Sequence, residues 1–208
     1  VPVAVSATVS AANSLVRRGI MWTHDLIGNS LPFLPLFRHL VWGSLGVPRW
    51  VHNIWCGVPC LRFYPPLVSW VSALIPLPDA TQTVKVVIAL SFFLSAAAMY
   101  ETARAIIGSR SAAIFSAFCY TLFGYHLLDV FVRGDLSESF SFVWMPLVFL
   151  LFWRSLRGDD GLHRNSILCG LALALLILTH VLIGLLQMVW LLIYSIMLVV
   201  ARGVRAKD

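Results

Sequence analysis

From Thr81 to Val200 the sequence is almost unbroken apolar residue, cut only by short polar turns. Each run is near the ~20 residues that an α-helix needs to cross a bilayer. Backbone N–H and C=O groups have no water to bond there, so the runs must be helical. Composition agrees: 60% of the 208 residues are hydrophobic and 12% are charged, where a soluble domain carries roughly 25% charge. The expected fold is all-α, a polytopic transmembrane helix bundle.

The turns divide the chain. Thr81 to Ile107 reads as a complete span, with Glu101 and Arg104 spaced to pair on one face. Gly108 to Ser111 is a turn, and Ala112 to Leu128 returns. Asp129 to Ser139 is a polar loop, and Phe140 to Trp153 crosses again. A charged loop from Arg154 to Asn165 follows, then spans at Ser166–Thr179 and Ile183–Val200 with His180 at the corner. This gives five transmembrane helices over residues 81–202 and a tail at 203–208. Residues 1–18, rich in Ala, Ser and Val, read as the tail of a first span that packs closely on its neighbours. Val1 and Asp208 look like cuts through a larger protein.

Residues 19–80 read as a large loop outside the membrane. Eight of the ten prolines fall in it and exclude one long helix. Its tryptophans suit the membrane–water interface. Leu31–Leu45 and Pro66–Ile75 are expected as short helices lying on the bilayer surface.

Net charge is +6. No basic stripe interleaves with aromatics, so nucleic acid is excluded as a partner. The cations instead cluster on one side of the spans, at Arg104, Arg110, Arg154, Arg157, Arg164, Arg202, Arg205 and Lys207. The opposite short loops carry only Arg133. The positive-inside rule makes the first side cytoplasmic; Arg17, Arg18, Arg38, Arg49 and Arg62 then fall outside and count against it, but the rule discounts long loops. The expected location is therefore a cell membrane, multi-pass, with the large loop outside and the C-terminus cytoplasmic. Four cysteines are too few for a disulfide framework; Cys119 and Cys169 read as small core residues.

The outer face then collects His24, Asp25, His39, Arg49, His52, Tyr64, Asp129, Arg133, Asp135, Glu138 and His180. Asp25 beside an imidazole suits a general base or a divalent metal ligand, or simply a helix N-cap. Arg133 suits a phosphate. Asp135 or Ser137 equally suits the cap of the next helix. His180 interrupts an apolar stretch too long for one span, and suits either headgroups or a substrate hydrogen bond. No phosphate-binding Gly-rich loop and no Gly-x-Ser-x-Gly occurs.

In order along the chain, His24-Asp25-Leu26, Gly46-Val47-Pro48-Arg49-Trp50, Gly57-Val58-Pro59, Phe63-Tyr64-Pro65-Pro66-Leu67, Tyr125-His126-Leu127-Leu128-Asp129, Arg133-Gly134-Asp135 with Glu138, and Leu178-Thr179-His180 resemble a family. It is the prokaryotic membrane proteins named for a 6-pyruvoyl-tetrahydropterin synthase-related domain. That family is similar in layout to the GT-C superfamily of membrane glycosyltransferases. The resemblance implies a GT-C-like bundle and a lipid-phosphate-linked sugar donor, with a glycan or protein as acceptor. Asp25 takes the place of the catalytic base, oriented by His24. Arg133 takes the donor phosphate, and Asp135, Glu138 and His180 line the pocket with Tyr64 and Arg49. A divalent metal ion is the cofactor such a site would admit. Asp25 stands alone where many GT-C enzymes have two neighbouring acids, and no three-His zinc arrangement supports pterin chemistry. The competing class is a non-catalytic multi-pass protein, either a transporter or an envelope-polysaccharide assembly factor.

Overall fold

The computed structural model describes residues 34–39, 50, 56–57, 59, 65–157 and 162–205. All regular structure among them is helical. Two short helices, α1 (Leu34–His39) and α2 (Leu67–Leu74), precede α3 (Ala80–Ile107), α4 (Arg110–Thr121) and α5 (Gly124–Leu128). A π-helical turn over Asp129–Arg133 leads into α6 (Leu136–Leu156), α7 (Leu162–Thr179) and α8 (Val181–Arg205). Four stretches are long and apolar enough to cross a membrane: Ala80–Ile107, Arg110–Arg133, Leu136–Leu156 and Val181–Ala201. His163–Thr179 is apolar but shorter.

Local chemistry sets the helix ends. The Asp79 carboxylate accepts the Thr81 N–H at 2.9 Å and starts α3. Gly108 ends it at φ 80°, a left-handed conformation that a Cβ disfavours. The second stretch is broken at Leu122–Phe123 and resumes as α5.

Helix α6 is the hub, packing on α3 and α7 and touching α8. Its contacts are polar as well as apolar. Ser91 and Ser139 share a hydrogen bond of 2.9 Å between α3 and α6. Pro146 lacks the N–H that would bond the Phe142 carbonyl; the Tyr120 hydroxyl of α4 donates to that carbonyl instead, at 3.0 Å. The Pro146 carbonyl accepts the Thr102 hydroxyl of α3 at 3.0 Å. Interhelical bonds of this kind hold helices together where burial from water is not the driving force.

Four sequence expectations change here. Asp129–Ser139 is not a loop: the helix continues to Arg133, and only Gly134 and Asp135 lie outside helices. Glu101 and Arg104 form no ion pair with each other, although both lie in α3. Cys169 is buried but Cys119 faces outward. The two short helices form within the stretches expected for them, yet α2 is not simply a surface element. Its Val68 packs with Val84, Val87 and Ile88 of α3, Val130, and Leu136 and Phe140 of α6. Helix α1 packs on α2 through Leu34, Phe37 and Ala73. The Arg38 guanidinium donates to the Thr83 hydroxyl and to the Ile75 carbonyl.

Candidate functional site

Two corners build the site. The first is the turn between the second stretch and α6. The π-helical turn lets the Gly134 N–H reach the Asp129 carbonyl at 2.6 Å. Gly134 then adopts φ 76° and reverses the chain at little steric cost. Asp135 follows as the N-cap of α6, one oxygen accepting the N–H groups of Ser137 and Glu138 at 3.0 and 2.9 Å. A carboxylate at this place also faces the positive end of the helix dipole.

The second corner is His180, the single residue between α7 and α8. Its Nδ1 accepts the Ile183 N–H at 3.3 Å, so the imidazole is the N-cap of α8. The bend is tight: a Cβ on Gly184 would lie 2.6 Å from Ile177 Cγ1.

The corners meet. Arg133 extends between three carboxylates, at 3.4 Å from Asp129, 3.3 Å from Asp135 and 2.5 Å from Glu138. The other oxygen of Glu138 accepts the Tyr125 hydroxyl at 2.5 Å. His180 Nε2 stands 3.9 Å from Asp135 Oδ2 and 4.0 Å from Glu138 Oε2. All three carboxylate side chains are at most 5% exposed, while the Arg133 side chain is 47% exposed. Burial pushes the Asp135 carboxyl above its ordinary value, against the pull of the Glu138 N–H, His180 and Arg133.

Two chemical properties follow. First, among the described residues three carboxylates face one guanidinium, a set that attracts cations or hydroxyl donors. Second, a neutral imidazole whose Nδ1 accepts a hydrogen bond carries its proton on Nε2. His180 thus points a donor at two acceptors across a gap too long for a direct bond. A hydroxyl, which both donates and accepts, matches that gap. Ligand atoms of Asp135, Glu138 and His180 lie within 4.8 Å of one another, close enough to surround a metal ion. The carboxylates suit a hard divalent cation. His180 does not join them while Nε2 holds its proton.

Of the residues picked out from sequence, the structure brings Arg133, Asp135, Glu138 and His180 together. His24, Asp25, Arg49 and Tyr64 lie outside the described residues. Tyr125 and Asp129 belong to the cluster but were not selected as site residues. Their signal was spacing: Tyr125, Asp129 and Arg133 recur every four residues, which aligns them on one helical face.

A family model for a 6-pyruvoyl-tetrahydropterin synthase related domain, described as a membrane protein, matches residues 61–208. No curated protein and no solved structure gives a match.

Proposed function

This chain belongs to the 6-pyruvoyl-tetrahydropterin synthase-related family of membrane proteins, and from that premise we propose that it is a GT-C-type glycosyltransferase module. It moves a sugar from a polyprenyl-phosphate-linked donor to an acceptor at the outer face of a cell membrane. The large loop faces outward and the C-terminus is cytoplasmic. The observation that supports it best is the meeting of Arg133, Asp135 and Glu138 with His180 at the ends of the spans.

In this reading the donor sugar hydroxyls bond to Asp135 and Glu138 and accept from His180 Nε2. The exposed edge of Arg133 meets the donor phosphate. Asp25, oriented by His24, takes the proton from the acceptor hydroxyl. The acceptor oxygen bonds to the anomeric carbon as the carbon–oxygen bond to phosphate breaks. The electron pair leaves with the lipid phosphate. A base and a cation are what such a displacement needs. A phosphate entering this corner adds negative charge to three carboxylates. A divalent cation held by Asp135 and Glu138 would offset it electrostatically. Arg49 and Tyr64 complete the substrate contacts.

The test uses the full-length parent, reconstituted with a polyprenyl-phosphate-linked sugar. Asp25→Asn is expected to abolish transfer while leaving thermal unfolding unchanged. Unaltered wild-type turnover in that variant sinks the reading. Substrate flux into vesicles without any sugar transfer would favour a non-catalytic transporter instead.

A further inference from the structure

A crevice of about 500 Å³ opens between α3, α4, α6 and α8, lined by residues such as Met99, Tyr120, Phe149, Trp190 and Gln187. Its walls are apolar apart from a few groups. Gln187 is one of them, 6% exposed, in the second turn of a membrane-length helix. Its amide makes no hydrogen bond among the described residues. Ser72, His126 and Trp144 also hold polar side-chain atoms without a hydrogen bond, but those atoms are fully enclosed by protein. Gln187 borders open space.

An amide in hydrocarbon needs a hydrogen-bond partner. A lipid chain would fill the crevice but offer none. A second helix with small hydroxyl residues does both, since small side chains let backbones approach and hydroxyls bond across the interface.

The chain carries such a segment. Ser6, Ser10 and Ser14 recur every four residues between Val1 and Arg17, with Ala7 and Ala11 in the adjoining row. In a helix this is one small, hydroxyl-bearing face. Depth agrees. Helix α1 lies at the same end of the bundle as the α3 N-terminus, held there by Arg38 on Thr83. Only residues 19–33 separate it from Arg18, fewer than the ~20 needed to cross a bilayer. The docking proposed below keeps Arg17 at that end, with His180. Gln187 lies seven residues beyond His180, and Ser10 seven residues before Arg17. At ~1.5 Å per residue, a helix over residues 1–16 would place both about 10 Å below that surface.

We propose that residues 1–16 form a helix that docks in this crevice antiparallel to α8, with Ser10 bonded to Gln187. The docking is independent of the glycosyltransferase reading. It is tested in the full-length protein in native membranes, in a background without other cysteines. Ser10→Cys with Gln187→Cys is expected to cross-link within one molecule on mild oxidation. Ser10→Cys with Leu192→Cys, which is 61% exposed and off the crevice wall, should cross-link at least tenfold less. A cross-link between copies, equal yields for the two pairs, or none with Gln187→Cys in folded protein each overturn the proposal. Thermal unfolding gives a second readout with a sign. If Ser10 is the partner, Gln187→Leu lowers the midpoint, and Ser10→Ala adds nothing to it. If the amide has no partner, Gln187→Leu raises the midpoint.

Discussion

At the Arg133 corner five ionisable or phenolic side chains bond to one another, whereas Gln187, on a helix that begins at the same corner, bonds to nothing described. Both are polar groups in an apolar bundle. Among the described residues the corner gathers its partners locally, from Tyr125 through Glu138, with His180 coming from elsewhere. Gln187 stands on α8, whose apolar window is 17% buried against 56% for α6. The difference separates two meanings of a polar residue in a membrane protein. A group satisfied within its own fold holds structure together and offers its remaining valences to a ligand. A group such as Gln187, without a described partner and bordering open space, points to a piece of the assembly that has still to be placed beside it.

This contrast is open to experiment. The largest stability effect is expected from Arg133→Met. Removing one partner of a buried ion pair costs ~3–5 kcal/mol. The guanidinium is half exposed, so a loss of about 2–3 kcal/mol in detergent unfolding is expected, after discounting for solvent screening. No loss would mean that the carboxylates need no cation. Next is Gly184→Val. Its new side chain meets Ile177, and overpacking of this kind costs about 1–3 kcal/mol. Ile177→Ala in the same molecule should recover part of it; an additive loss would show that the corner is not this tight. Asp135→Ala should cost about 1 kcal/mol more than Asp135→Asn, because asparagine still caps α6. Equal losses would remove the cap from the account. Smallest is Gln187→Leu, expected to destabilise the full-length protein by about 0.6 kcal/mol, the usual worth of one interhelical bond in a membrane.

Much of the helix layout was legible because span-length apolar runs have few other outcomes. The stretch expected from Thr81 to Ile107 is helical from Ala80 to Ile107, and His180 does mark the corner. Asp135 was legible as a possible cap for the same reason any Asp before an apolar run is. The π-helical turn was not. Asp129 to Arg133 is polar at both ends, and polarity alone does not distinguish a loop from the end of a helix at the membrane surface. Pro146 lies inside α6, tolerated because Tyr120, distant in sequence, supplies the missing donor. The approach of His180 to Glu138, 42 positions apart, followed from counting which loops share a face. Its distance did not, since that depends on how tightly Gly184 lets α8 turn.

The most direct test of the corner as a donor site is turnover by Glu138→Gln in the reconstituted full-length parent. Glutamine keeps the size of the side chain and still accepts from Tyr125, while Asp129 and Asp135 go on holding Arg133. A hundredfold or greater fall in sugar transfer, with the unfolding midpoint lowered only slightly, is the predicted result. Transfer at the wild-type rate would contradict the account, leaving the corner as a structural clamp between two pairs of helices.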